Sequence, residues 1–517
     1  MVVATDTLEP GLTTAGATDR PAPAIRASRI AVGAVSVVPI AAYLWVALHQ
    51  IGYPYELEWM EGGSAEIVAR VVHGQAIYVA PSLHYVPYAY TPLYFWTAAL
   101  VAHVTGTGFL ALRLVSFAAS LGSFALLFSM VRRETGDAVA GLFSAGLFAA
   151  TFEVGGGWLD IGRVDSLFVF FLLAAVAVGR RAAGGWGGVA TGALVVAAVL
   201  TKQSALLAAA PALAVLVVTR RRAGLAAVAT VAAGVVGSTL VLQATTHGWY
   251  WWYTVGELVH QGTAAAAGAR FVPRDLVTPA AVALALALGG LVVGRWRHVG
   301  RTVWGYWLAV AGGFVATSWL SRLHAGGGRD VLIPAYAAVA LLAALGYDAL
   351  RRGIPAPPVL VNAGLAVACV VQVAVLFGHP SHYLPRPGDQ AAGRRFVAQV
   401  AATRGPVIVY DHPWYDTMAH KASFAQGEAV NDVLRAGPSP ARRDLVTSID
   451  QVLGSSPVST VYVDDPGDAA TLGTALTGHF ALDRRPVFRC FQCFFPATDV
   501  ALRPYLRYVR QPAASRG

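Results

Sequence analysis

The sequence predicts an α-helical polytopic membrane protein with a small soluble α/β domain at its carboxyl side. Three observations carry that prediction. The 517 residues are 56% hydrophobic and only 13% charged, with a mean hydropathy of +0.56, far too apolar for a soluble enzyme. Apolar runs of membrane-spanning length recur, separated by short arginine clusters. Beyond His379 the apolar runs stop and Pro, Asp and Arg rise. The net charge of +10 is carried by the clusters between apolar runs, so it reads as a topology signal and not as a nucleic-acid-binding face.

Residues 1–28, rich in Thr, Ala, Pro and Asp, have no apolar period and are expected to form a disordered cytoplasmic tail. The run Ile30 to Ile51 is longer than a signal-peptide core and lacks a cleavage site, so it is read as the first span. Residues 52–106 then form an outer loop with juxtamembrane helices. Its first part, YELEWMEGGSAEIVARVV, sets Glu56, Glu58 and Glu61 where a span meets water. Carboxylates cost about 2.5 kcal/mol or more inside hydrocarbon, which favours a site at the membrane surface over chance placement. The aromatic stretch PLYFWTAALVAHVTG is read as a helix lying at the interface.

Spans follow at Leu112 to Val131 and Ala138 to Val154, and another runs inward from the short outer loop WLDIGRVDS to Arg180 and Arg181. The apolar stretch Gly187 to Thr219 is interrupted at Thr201-Lys202-Gln203, which predicts two short helices meeting at Lys202. Five further runs, from about Leu225 to Thr245, Val277 to Val293, Val303 to Leu320, Val331 to Leu350 and Val359 to Phe377, bring the expected total to about eleven spans over residues 29–378. The arginine clusters put the amino terminus inside and residues 379–517 outside the plasma membrane. In this last domain VIVYD (407–411) and STVYVDD (459–465) read as strands. Cys490 and Cys493 can oxidise there, and the pair suits a structural or an unpaired role better than a redox motif.

This topology brings Glu56, Glu58, Glu61, Asp160, Arg163, Asp165, Lys202, Gln203, His260 and Arg329 to one face. Carboxylates beside cations at a membrane boundary suit group transfer from a lipid phosphate, in which a carboxylate takes the acceptor proton and Lys or Arg stabilises the departing phosphate. They suit ion-coupled transport as well. Blander readings exist for each group. Arg163 and Asp165 can pair with each other, Lys202 can snorkel to headgroups, and Trp249 to Tyr253 reads as an aromatic belt. His260 and His324 have no ligand-like spacing, so neither a metal nor another cofactor is supported.

The acidic first outer loop with its juxtamembrane helix, the Pro-Leu-Tyr aromatic segment, the second acidic loop and the outer carboxyl-side domain together resemble the GT-C glycosyltransferases. The resemblance is to bacterial relatives of protein O-mannosyltransferases and the lipid A aminoarabinose transferase, and it covers about Ile30 to Phe377. It implies a hexosyl- or pentosyltransferase using a polyprenyl-phosphate-linked sugar, inverting the anomeric carbon and serving a glycan, lipid or protein acceptor among membrane lipids. Relatives often carry Asp-Glu at the start of the juxtamembrane helix, where this chain has Met60-Glu61. The base is therefore expected from Glu58, ahead of the helix, or from Glu61, which can instead cap it. A lysine often found before the aromatic Pro segment is absent, the residues here being Tyr90-Thr91-Pro92, and Lys202 is the substitute. The second acidic position falls on Asp160 or Asp165. Donor phosphate contacts are expected from Lys202, Arg163 and Arg329, and substrate contacts from Glu56, Tyr90, Gln203 and His260. A transporter or lipid flippase is the alternative, although no internal repeat supports it. A polysaccharide polymerase or ligase shares the same chemistry.

Overall fold

The computed structural model describes residues 23–296, 301–455, 457–498 and 500–512. Helix α1 (Pro23–Gln50) begins inside the stretch expected to be a disordered tail. Residues 1–22 of that tail lie outside the described residues.

The bundle continues through α2 (Glu61–Val72), α3 (Leu93–Thr105), α4 (Phe109–Thr135), α5 (Ala138–Ala150), α6 (Asp165–Gly179), α7 (Gly185–Thr201), α8 (Ala205–Thr219) and α9 (Arg221–Thr245). After an irregular helical stretch come α10 (Thr278–Trp296), α11 (Arg301–Leu323), α12 (Ile333–Gly353) and α13 (Pro358–Leu376). Among the described residues, seven helices are long and apolar enough to cross a membrane. The other four expected spans, α5 to α8, are helices of 13, 15, 17 and 15 residues. At 1.5 Å per residue they reach about 20 to 26 Å, short of a hydrocarbon core of about 30 Å. The expected break is present, since α7 ends at Thr201 and α8 starts at Ala205.

Helix α12 is the centre of the bundle, with 94% of its apolar window buried, whereas α9 at the rim is 11% buried and turns its leucines and valines outward. Small residues permit the central packing. A Cβ at Gly346 would stand 2.1 Å from the Leu286 carbonyl oxygen, and one at Gly290 would stand 2.3 Å from the Gly346 Cα, so α10 and α12 touch backbone to backbone.

The ends of the bundle differ in charge. At one end Arg180 pairs with Glu134, Arg351 with Asp137 and Asp348, and Arg29 with Asp137. The other end carries the acidic loops, and the carboxyl-side domain docks there. That domain holds α14 (Asp389–Ala402) and a sheet ordered β1-β2-β4-β3. Strand β1 (Val407–Val409) runs parallel to β2 (Thr460–Val463), while β4 (Leu506–Arg510) lies antiparallel between β2 and β3 (Phe480–Asp483). Cys490 and Cys493 are joined in this domain. One apolar core runs without a break from Met60, Tyr88 and Phe109 of the membrane part into Trp414, Ile408 and Val461 of the sheet domain. Backbone and side-chain hydrogen bonds seal the junction, from Ala425 N to Leu83 O at 2.8 Å and from Thr498 Oγ1 to Leu57 O at 2.8 Å.

Candidate active site

The acidic loop is organised by one buried cation. Arg113, on α4, donates to Glu61 Oε2 at 2.6 Å and Oε1 at 3.0 Å and to the carbonyls of Tyr53 and Tyr55, each at 2.6 Å. Glu61 also accepts from the backbone N–H groups of Leu57 at 2.7 Å and Gly162 at 2.6 Å. Both side chains have no exposure. A carboxylate at the first residue of α2 suits the positive end of that helix, and a forked pair to arginine is the strong form of such a bond. Glu61 is thus a brace holding three segments together, and it does not line the cavity described below.

Glu58 is held differently. Its Oε2 accepts from the Met60 N–H at 3.1 Å and lies 3.4 Å from Arg163 Nη1, while its Oε1 is buried without a hydrogen-bond partner. Burial pushes its carboxyl up to about 8, against the opposing pull of Arg163. Arg163 Nη2 donates to Tyr90 Oη at 2.9 Å, and its guanidinium sits 4.9 Å from the Trp158 ring and 5.8 Å from that of Tyr88. Three aromatic faces therefore fix this cation in place.

The break between α7 and α8 sets a second cation beside the first. Lys202 Nζ bonds Asp165 Oδ1 at 2.6 Å and Asp330 Oδ2 at 3.4 Å. Gln203 donates to the carbonyls of Ala89 at 2.8 Å and Thr254 at 3.1 Å, which ties the break to the Tyr90 segment.

Arg163, Lys202, Gln203, Tyr90 and Asp330 share a cavity of about 420 Å³. Its far side is closed by Glu428 and Asp432, from a short helix of the sheet domain, and by His324. Leu207 and Leu320 also line it and are 39% and 45% exposed, so part of the cavity wall is apolar. Glu58 stands one layer behind the wall, behind Met60 and Arg163.

The remaining expected residues lie elsewhere. Asp160 accepts from Gln50 Nε2 at 2.8 Å, away from the cavity, and burial pushes it up to about 7. His260 is exposed and bonds its own helical turn through Gly256 O at 2.6 Å. Arg329 packs beside Gly156 and is not in the cavity wall, where its neighbour Asp330 stands instead. Glu56 bonds His412 Nδ1, whose Nε2 lies 2.9 Å from Asp464 Oδ2, so it locks the sheet domain onto the loop. Burial raises Glu56 to about 7, while its two carboxylate neighbours hold His412 well above the usual histidine range. Among the described residues no group of three or more His, Cys, Asp or Glu is placed to hold a metal ion.

Residues 87–251, which carry Tyr90, Arg163, Asp165, Lys202 and Gln203, match the family model for dolichyl-phosphate-mannose-protein mannosyltransferase. The apo structure of ArnT from Cupriavidus metallidurans superposes on the chain with a TM-score of 0.60 at 16% identity, covering 93% of this chain and 98% of that one. The chain has the GT-C fold. ArnT bound to undecaprenyl phosphate gives a TM-score of 0.57 at 15% identity with the same coverage. The oligosaccharyltransferase AglB from Archaeoglobus fulgidus, in complex with an inhibitory peptide and a dolichol-phosphate, gives 0.53 at 12% identity, covering 85% of this chain and 71% of that one. No curated protein matches the sequence. In this chain the family match holds both cavity cations but neither Glu58 nor Asp330 nor the sheet domain. Arg113, Asp330, His412, Glu428 and Asp432 were not singled out from sequence. Of these only Arg113 carries a local signal, as an arginine inside the apolar run FLALRLVSF.

Proposed function

We propose that the chain is a membrane glycosyltransferase that moves a sugar from a polyprenyl-phosphate donor to a glycan, lipid or protein acceptor of the cell envelope, with inversion. The observation that carries this reading is the shared cavity, in which Arg163 and Lys202 converge while Leu207 and Leu320 supply an apolar part of the wall. Two cations suit a phosphate, and the apolar side suits a prenyl chain. ArnT, which has the same fold, has been seen with undecaprenyl phosphate. The arginine-rich end supports an orientation with that end toward the cytoplasm and the cavity toward the outer face.

In the proposed reaction an acceptor hydroxyl attacks the anomeric carbon. The bond from that carbon to the phosphate oxygen breaks, and polyprenyl phosphate leaves against Lys202 and Arg163. The acceptor proton goes to a carboxylate. Glu58 is the proposed base, because Oε1 is unpartnered and its carboxyl is raised into the working range. A second reading assigns that role to Asp330, which lines the cavity directly. Glu61 serves as the brace, and Asp165 orients Lys202.

A loss of Lys202 is expected to act on the donor. In transfer assays with a synthetic polyprenyl-phosphate sugar, Lys202→Ala raises the apparent donor KM and lowers kcat/KM by about 10- to 100-fold, the range of one charge-assisted hydrogen bond. Lys202→Arg keeps the charge between Asp165 and Asp330 and retains most of the activity. An unchanged donor KM in Lys202→Ala removes Lys202 from the phosphate site.

A further inference from the structure

The opposite end of the bundle holds a second cavity, of about 310 Å³, with a different character. It lies where α4, α6 and α8 end and α11 passes. Helix α6 joins the two sites, with Asp165 at one end and Arg180 just past the other, about 22 Å apart along its 15 residues. Four guanidiniums line the cavity, those of Arg133, Arg180, Arg181 and Arg220, against a single carboxylate, Glu134.

Two of the arginines are fixed by the protein. Arg180 grips Glu134 through Nε at 2.7 Å and Nη2 at 3.1 Å, and Arg220 Nη1 donates to the carbonyls of Arg180 at 2.8 Å and Ala182 at 3.1 Å. The other two, Arg133 and Arg181, are exposed and make no ion pair or side-chain hydrogen bond among the described residues. The floor adds an independent sign. Trp307 is 1% exposed and lines the cavity, yet its Nε1–H has no acceptor. Arginines that only set orientation need neither a shared cavity nor a buried indole donor left unmatched, because buried donors are nearly always paired. An anion with several acceptor oxygens satisfies both features at once.

The position selects the anion. Basic pockets between helix ends at a membrane surface meet the phosphate layer of the bilayer. We propose that this cavity binds the phosphodiester headgroup of an anionic phospholipid, held by Arg133 and Arg181 and bonded by Trp307 Nε1. The site is independent of the glycosyltransferase reading and uses none of its residues.

The test is native mass spectrometry of the delipidated full-length protein titrated with phosphatidylglycerol or with zwitterionic phosphatidylcholine. A further arm adds inorganic phosphate without lipid and reads thermal stability. The protein is expected to retain phosphatidylglycerol in preference to phosphatidylcholine. Arg133→Gln combined with Arg181→Gln is expected to weaken retention about thirtyfold. Because neither arginine has a partner to lose, the variant should fold. Trp307→Phe keeps the ring, removes the donor and is expected to weaken retention about fivefold. Equal retention of the two lipids overturns the proposal, as does undiminished phosphatidylglycerol retention in both variants. Stabilisation by inorganic phosphate with no retained phosphatidylglycerol also overturns it, by assigning the cavity to a soluble phosphate compound.

Discussion

Glu58→Gln is expected to lower turnover by about 100-fold or more while the donor KM stays near its original value. Glutamine keeps the shape and an oxygen for the Met60 N–H and Arg163, so the loop and the cation stay where they are. What it loses is proton acceptance at Oε1. The pH dependence adds a second readout. The carboxyl is raised from 4.5 to about 8 by burial, and a base works only when deprotonated. Activity in kcat/KM should therefore climb as pH rises toward about 8 and level off above it, and the climb should vanish from the residual activity of Glu58→Gln. Asp330→Asn is the comparison. If Asp330→Asn is dead and Glu58→Gln retains near-normal turnover, the base is the residue in the cavity wall and Glu58 positions Arg163.

Arg113→Met is expected to destabilise the protein by about 3–5 kcal/mol, the cost of leaving a buried carboxylate without its cation. Neither Arg113 nor Glu61 has any exposure, so water cannot replace the lost partner. Thermal unfolding in detergent measures the effect. Arg113→Met combined with Glu61→Gln should recover part of the loss, since the stranded charge is then gone. Glu61→Gln alone should lower stability while turnover per folded molecule survives. A folded Glu61→Gln protein without activity would instead place Glu61 in the chemistry.

The helices were legible because apolar length and arginine clusters are local properties. The break at Lys202 was legible because a lysine in the middle of an apolar run is costly in hydrocarbon, so the run has to be interrupted to bring it to a polar surface. Strands β3 and β4 were not. FALD and LRYVR are short, carry charge and gain their partners only when the sheet assembles. The site was half legible for the same reason. Arg163, Lys202, Tyr90 and Gln203 sit where spans meet loops, and they converge. In sequence Glu58 precedes the helix and Glu61 stands where it can cap it, but the partners of neither are visible there. Only the fold shows that Arg113 saturates one of them and leaves an oxygen of the other unpartnered. Glu428 and Asp432 enter the cavity from a domain whose return over the first loop no local pattern announces, and Glu56 proved to face His412 of that domain.

Incubation of the purified protein in nanodiscs with a synthetic polyprenyl-phosphate sugar and envelope acceptor extract, followed by quantitation of free polyprenyl phosphate and of sugar on the acceptor, tests the proposed reaction most directly. Release of polyprenyl phosphate equal to sugar transferred, with the anomeric centre inverted in the product, is the predicted result. Transfer supported by a soluble nucleotide sugar but by no polyprenyl-phosphate sugar would contradict it.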